Sequence, residues 1–135
     1  MTKRFTHLLA EEKKLWILFL QRFGDDFINY EYDVHVGLPQ KYPEGFPPNY
    51  SRMVIRLSQK RIDVVAYKTG TPYIFEIRPY PDLELLERLQ QYSDLYAMEI
   101  LTPVKPIKAL VYLIIDEKTE QKADAMEIVK YKISI

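Results

Sequence analysis

The sequence predicts an α/β protein in which a mixed central sheet is flanked by helices. Residues 7 to 23 place apolar side chains at helical spacing, and residues 28 to 36 alternate as a strand with one buried face does. Residues 108 to 115 form an apolar run, which is typical of a strand buried on both faces. Helices that interleave with strands in this way favour a sheet with helical cover.

The composition indicates one globular domain of 135 residues, of which 47% are hydrophobic and 28% charged. No apolar run approaches the roughly 18 residues that span a bilayer. The charged N-terminal segment is unlike a signal peptide, so we expect no membrane partner and a cytoplasmic location. Cysteine is absent, which excludes disulfides and thiolate metal sites. Because the formal net charge is zero, any nucleic-acid binding must come from a local patch.

The first two elements are the helix over residues 7 to 23 and the strand over residues 28 to 36. Thr6 is the expected N-cap of the helix and Gly24 its expected stop. The apolar face of the helix is formed by Leu8, Leu15, Trp16, Phe19 and Phe23. The buried face of the strand is formed by Ile28, Tyr30, Tyr32, Val34 and Val36.

Glycine and proline separate the later elements. Residues 37 to 50 predict a loop, whereas residues 51 to 59 are compatible with either a short helix or a strand. Two strands, at 61 to 67 and 72 to 78, precede a helix that Asp82 caps and that runs to about Ala97. The inner face of that helix is formed by Leu85, Leu86, Leu89, Tyr92 and Tyr96. The strand at 108 to 115, a helix near 118 to 126 and a strand near 128 to 134 follow.

The hairpin formed by the two middle strands brings two acids together. If residues 69 and 70 form a two-residue turn, Asp63 lies opposite Glu76, with the two side chains about 5 Å apart. On the other face Ile62 lies opposite Ile77 in an apolar core. Like charges so placed repel unless they share a proton or a cation. A hard divalent ion with oxygen ligands, Mg²⁺ or Mn²⁺, would relieve the repulsion.

Two further features allow alternative interpretations of these acids. Arg61 and Arg78 flank the pair on the same face, so the four charged groups could form an ordinary salt-bridged ladder. Glu12 lies in the middle of the apolar stripe of the first helix and therefore needs a partner. That partner could be a metal ion shared with Asp63 and Glu76, or it could be an arginine or tyrosine hydroxyls.

At these residues the chain resembles the PD-(D/E)XK nuclease superfamily. Its motif places an aspartate on one hairpin strand, and an acid, any residue and a lysine on the next. The matching segments here are RID at 61–63 and EIR at 76–78. The segments YDVHVG at 32–37, FEIRP at 75–79 and LERLQQY at 86–92 are similar to small nuclease-like proteins of phages and mobile elements. The resemblance implies a restriction-endonuclease-like fold with an αβββαβ core.

The resemblance also implies roles for individual residues. Asp63, Glu76 and the backbone carbonyl of Ile77 would bind Mg²⁺ or Mn²⁺, and Glu12 matches an acid that many members place on the first helix. Arg78 stands where the motif has lysine. Because arginine stays protonated, Arg78 cannot act as a general base, but it can hold a phosphate oxygen or stabilise developing charge.

Two functions therefore follow from the sequence. The favoured one is a metal-dependent nuclease that hydrolyses phosphodiester bonds of DNA. The other is an inactive protein of nuclease fold that serves in DNA binding or in phage or mobile-element assembly, in the host cytoplasm if a phage encodes it. A basic run could contact the phosphate backbone or could form an ordinary solvated face; its members are Arg52, Arg56, Lys60 and Arg61. The sequence leaves open whether the chain acts alone or as a homodimer.

Overall fold

The computed structural model describes residues 7–36, 60–100 and 104–134. In these ranges every predicted helix and strand is present. The elements are α1 (Ala10–Phe23), a 3₁₀ turn (Gly24–Asp26), β1 (Ile28–Val36), β2 (Lys60–Lys68), β3 (Thr71–Ile77), α2 (Leu83–Ile100), β4 (Ile107–Tyr112), α3 (Glu117–Ala125) and β5 (Val129–Lys132). The predicted loop at 37 to 50 and the ambiguous segment at 51 to 59 lie outside the described residues.

The strands form one five-stranded sheet in the order β1-β2-β3-β4-β5. β1, β2 and β3 pair antiparallel, whereas β3, β4 and β5 pair parallel, so the predicted mixed sheet is confirmed. β4 has a neighbour on each side and a helical layer on each face, which explains its apolar run. The strand ends at Tyr112 instead of residue 115, because the N–H groups of Leu113 and Ile114 donate to the Pro79 carbonyl.

Two hydrophobic cores lie on opposite faces of the sheet. The first core packs α1 against the sheet, and its largest buried members include Leu15, Trp16, Phe19, Phe75 and Ile77. The second core packs α2 and α3 against the other face, and it includes Ile62, Ile74, Leu86, Leu89, Tyr96 and Leu110. Within the described ranges no helix is both long and apolar enough to cross a membrane.

Helix α1 begins three residues later than predicted. Leu9 occupies the N-cap position, and the helix starts at Ala10, whereas the expected cap, Thr6, lies outside the described residues. Leucine has no side-chain acceptor for the first helical N–H groups. Instead, Glu12, the third residue of the helix, accepts a hydrogen bond of 3.0 Å from the Leu9 N–H through its side chain. This contact caps the start of the helix.

Strand β1 has the predicted bounds, but its side chains do not share one buried face. Tyr30 and Tyr32 pack against the core on the α1 side, whereas Val34 and Val36 belong to the core on the α2 side. Between them Asp33 has a φ of 55°, and this left-handed residue interrupts the alternation of the strand. At the other end of the strand, Ile28 is exposed instead of buried.

The β2–β3 hairpin has the predicted register from Val64 opposite Phe75 to the turn. Both turn residues have positive φ, 48° at Thr69 and 80° at Gly70, as a type I′ hairpin requires. Beyond Val64 the prediction is wrong in one respect, since Ile62 and Ile77 do not share a core. Ile62 packs on the α2 side and Ile77 on the α1 side.

The α2 helix agrees closely with the prediction. The Asp82 carboxylate accepts a hydrogen bond of 2.9 Å from the Leu85 N–H, which caps the helix as expected. All five predicted inner-face residues are buried. Lys108 on β4 is also buried, and its ammonium group donates to the Met126 carbonyl at 2.7 Å and to the side chain of Gln90 on α2. This lysine therefore ties the sheet to α2 and to the end of α3.

Replacement of Gly70 by alanine tests the hairpin turn. The added Cβ meets no atom within 4 Å, so the cost is conformational and comes from the positive φ alone. We expect the free energy of unfolding to fall by about 1 kcal/mol in urea titrations. Gly24→Ala is the matched control, because Gly24 has helical angles and its Cβ would make ordinary contacts. A loss at Gly24 as large as that at Gly70 would contradict the assignment.

Candidate functional site

Asp63 on β2 and Glu76 on β3 lie against each other on the face of the sheet that α2 covers. The ladder between the strands ends next to them, because the Ile77 N–H donates to a carboxylate oxygen of Asp63 at 3.0 Å. The Asp63 side chain thus replaces a backbone acceptor. This bond holds the Asp63 side chain beside the backbone of Ile77, the residue that follows Glu76.

The Glu76 carboxyl group is almost completely buried, with 3% of its residue surface exposed. Burial raises its pKa well above the ordinary value, and both the charge of Asp63 and a hydrogen bond with the Asp63 side chain raise it further. Arg78 and Arg88 oppose this shift. The Glu76 Oε1 atom has no hydrogen-bond partner within the described structure. A buried acceptor without a donor is costly, so the site favours a proton or a cation at this point.

His7 contacts the site from the segment before α1. Its Nε2 atom lies 2.9 Å from the backbone carbonyl oxygen of Asp63, within hydrogen-bond distance. The bond is made where the β2–β3 ladder stops. It therefore fixes β2 at Asp63, the residue whose side chain points at Glu76. The sequence offered no signal for this role, because the two residues are 56 positions apart and His7 has no ligand-like spacing.

Glu12 is paired with an arginine in the structure, which is one of the alternatives that the sequence left open. Its side chain is 12% exposed, and Oε2 lies 3.7 Å from Nε of Arg78. The described ranges contain no group of three or more histidines, aspartates or glutamates close enough to hold a metal ion. The structure therefore brings Asp63 and Glu76 together and brings Glu12 to Arg78. It does not join the three acids in one cluster.

Arg61 contributes to neither pair. Its guanidinium donates to both carboxylate oxygens of Asp33, at 2.8 and 2.6 Å, and this contact holds the pKa of Asp33 below its usual range. The salt-bridged ladder of Arg61, Asp63, Glu76 and Arg78 is therefore not formed, since both arginines contact other acids. Of the basic run, Arg52 and Arg56 lie outside the described residues, as does the side chain of Lys60.

Two side chains of α2 extend the site beyond the sheet. Burial raises the pKa of the Tyr92 hydroxyl, and the charge of Glu76 raises it further, so this tyrosine lies within the field of the acid pair. The positive charge of Arg88 opposes the rise in the pKa of both Tyr92 and Glu76. Arg88, Gln91 and Tyr92 also line a cavity of 350 Å³ on the helix surface. The helical pattern had predicted Tyr92 only as a core residue.

Comparison with known proteins identifies the fold. No protein-family model and no curated protein matches the chain. A repair endonuclease from Pyrococcus abyssi superposes with a TM-score of 0.60, at 14% identity over 94% of this chain. The EndoMS–dsDNA2 complex gives 0.56 at 12% identity over 91%, and protein VC1899 from Vibrio cholerae gives 0.55 at 13% over 90%. The chain has a restriction-endonuclease-like fold.

The match covers only part of each solved structure. This chain spans 48% of the Pyrococcus abyssi endonuclease, 44% of EndoMS and 29% of VC1899. At identities of 12 to 14% the likeness concerns the fold. The predicted fold class is confirmed, and the chemistry must be argued from the site itself.

The pH dependence of stability tests the state of Glu76. Because the folded-state pKa of Glu76 is raised, the folded protein keeps a proton that the unfolded chain loses near pH 4.5. Relative to Glu76→Gln, the wild-type free energy of unfolding should therefore fall as the pH rises from about 4.5 through the raised pKa. Urea titrations with EDTA measure this difference. Glu117→Gln, which changes an exposed acid in the first turn of α3, is the control and should keep the pH dependence of the wild type. A difference between wild type and Glu76→Gln that stays constant with pH would contradict the raised pKa.

Proposed function

We propose that this protein is a metal-dependent nuclease of the PD-(D/E)XK superfamily that hydrolyses phosphodiester bonds of DNA. One observation supports the proposal above all others. Two carboxyl groups meet at adjacent strands, and the buried one has an oxygen, Oε1 of Glu76, without a donor. A carboxyl pair that costs stability on its own is typical of a site built for a cation.

The oxygens of Asp63 and Glu76 suit Mg²⁺ or Mn²⁺, which prefer carboxylate and carbonyl ligands. We propose the backbone carbonyl of Ile77 as a further ligand. When bound, such an ion would stabilise charge that develops on a phosphodiester and make water more acidic. Burial of Glu76 keeps its carboxylate in a weakly screened environment, where its interaction with a cation is strong.

Arg78 is suited to binding a phosphate oxygen. Its Nε atom is buried without a hydrogen-bond partner in the described structure, and its side chain reaches solvent over about a third of its surface. The guanidinium lies within the field of Glu76 on one side and beside Glu12 on the other. Since it stays protonated, its contribution is charge stabilisation and positioning.

Glu12 contributes to the proposed site through Arg78. Its Oε1 atom is bound to the Leu9 N–H at the start of α1, which fixes the carboxylate relative to the helix. Its Oε2 atom is then at ion-pair distance from the guanidinium. The expectation that Glu12 is itself a metal ligand remains a prediction, because it would require the carboxylate to leave this arrangement.

DNA as the substrate is supported by the names of the proteins that share the fold. One is a repair endonuclease, and another was solved as a complex with double-stranded DNA. The second candidate function, DNA binding without catalysis, is favoured by a specific residue. Arg78 replaces the motif lysine, so this position cannot accept a proton from water. Cleavage of DNA distinguishes the nuclease from the protein that only binds DNA.

A cleavage assay on labelled single- and double-stranded DNA, with Mn²⁺ or with EDTA, tests the proposal. We expect wild type to cleave only with the ion, and Asp63→Asn and Glu76→Gln to lose cleavage. Arg78→Ala should lower the rate about 100-fold, because one charge-stabilising contact is lost. Arg78→Lys should retain or raise the rate. Arg22→Ala, which removes an exposed arginine at the far end of α1, is the control and should match wild type.

Two outcomes would contradict the enzyme. If the wild-type protein cleaves no form of DNA, the result would favour a binding or assembly role. Cleavage that persists undiminished in Glu76→Gln would trace the activity to a contaminant.

A further inference from the structure

A cavity of 550 Å³ opens between the first turn of α1 and the residues that follow β3. Arg78, Pro79 and Tyr80 form one part of its lining, and Leu9, Glu11 and Glu12 form most of the other. Its volume lies within the range of small-molecule sites. This cavity is separate from the one on α2 that Arg88 and Tyr92 line.

Two large apolar side chains in this cavity face solvent. Leu9 is 71% exposed and Tyr80 is 60% exposed. Exposed aromatic rings provide flat surfaces on which nucleobases stack, and such stacking tolerates any base. An aliphatic side chain beside the ring adds apolar contact without requiring a hydrogen bond.

The polar groups of the cavity restrict what can enter it. The carboxylate of Glu11 accepts hydrogen bonds and donates none, so it repels a phosphate and attracts an N–H group. Both oxygens of Glu12 are already engaged, one by the Leu9 N–H and the other by Arg78. Every nucleobase has an N–H donor on its Watson–Crick edge, but in a duplex that donor is already bonded to the opposite base. Beside Glu11 the cavity therefore fits an unpaired base better than a base pair, whereas a phosphate fits at Arg78.

Arg78 connects the cavity with the acid pair. The Arg78 side chain lines the cavity, and its positive charge opposes the rise in the pKa of Glu76. A phosphate bound to the Arg78 guanidinium would lie between the acid pair, Asp63 and Glu76, and the apolar lining of the cavity.

We propose that this cavity binds an unpaired nucleobase of the strand whose phosphodiester is held at Arg78, Asp63 and Glu76. The proposal rests on the nuclease function proposed above and specifies its substrate class as single-stranded DNA or DNA with an unpaired nucleotide. Tyr80 stacks on the base, Leu9 packs against it, and the Glu11 carboxylate accepts a hydrogen bond from an N–H group of the base.

Fluorescence anisotropy with a labelled single-stranded oligonucleotide and a blunt hairpin duplex, in EDTA, tests the proposal without cleavage. Wild type should bind the single strand more tightly than the duplex. Tyr80→Ala should weaken single-strand binding on the order of tenfold and leave duplex binding unchanged. Tyr80→Phe keeps the ring and should stay close to wild type, and Leu9→Ala should also weaken single-strand binding. Met98→Ala, at an exposed apolar residue (69%) in the last turn of α2, is the matched control and should have no effect.

The proposal is overturned if Tyr80→Ala binds the single strand as wild type does, or loses duplex binding equally. It is also overturned if wild type binds neither DNA, or if light scattering shows self-association that Tyr80→Ala abolishes, which would assign the cavity to a second copy of the chain. Single-strand binding that depends on Tyr80 without metal-dependent cleavage would support the base site and contradict the nuclease.

Discussion

Two carboxyl groups, those of Asp63 and Glu76, are held against each other at neighbouring strands, and one of them is buried. The charge of Asp63 raises the cost of ionising Glu76, and burial removes the water that would stabilise the Glu76 carboxylate. The fold maintains this arrangement with specific contacts, since the Ile77 N–H binds the Asp63 carboxylate and His7 binds the Asp63 carbonyl. A strained pair of this kind, supported by its surroundings, is common at sites that bind a cation or a shared proton.

The rest of the molecule determines where this pair lies and what can approach it. The two cores pack helices on both faces of the sheet, so the central strands are fixed from both sides. The pair lies where β2 and β3 separate, with α2 side chains over it. Arg78 follows directly at the end of β3 and reaches across to Glu12 on α1. One side chain therefore connects the acid pair with the opposite helical layer and with an apolar cavity that opens to solvent.

The sequence predicted most of the fold, because its elements follow local rules. The turn at Thr69 and Gly70 set the hairpin register, and that register predicted that Asp63 would meet Glu76. The change of face in β1 could not be predicted, since nothing in an alternating pattern indicates a left-handed Asp33. Similarly, His7 and the choice of Arg78 as the partner of Glu12 depend on tertiary contacts that no local pattern encodes. The hairpin was therefore accessible from the sequence, whereas the contacts that position the acids required the structure.

Diffraction from crystals soaked in MnCl₂ near neutral pH, collected where manganese scatters anomalously, tests the central claim most directly. We expect an anomalous peak within coordination distance of carboxylate oxygens of both Asp63 and Glu76, and we expect this peak to be lost in crystals of Glu76→Gln. Wild-type crystals without a peak at this pair would contradict metal binding and favour a proton shared by the two acids. A peak that stays unchanged in Glu76→Gln would show that Glu76 is not a ligand and would also contradict the two-acid site.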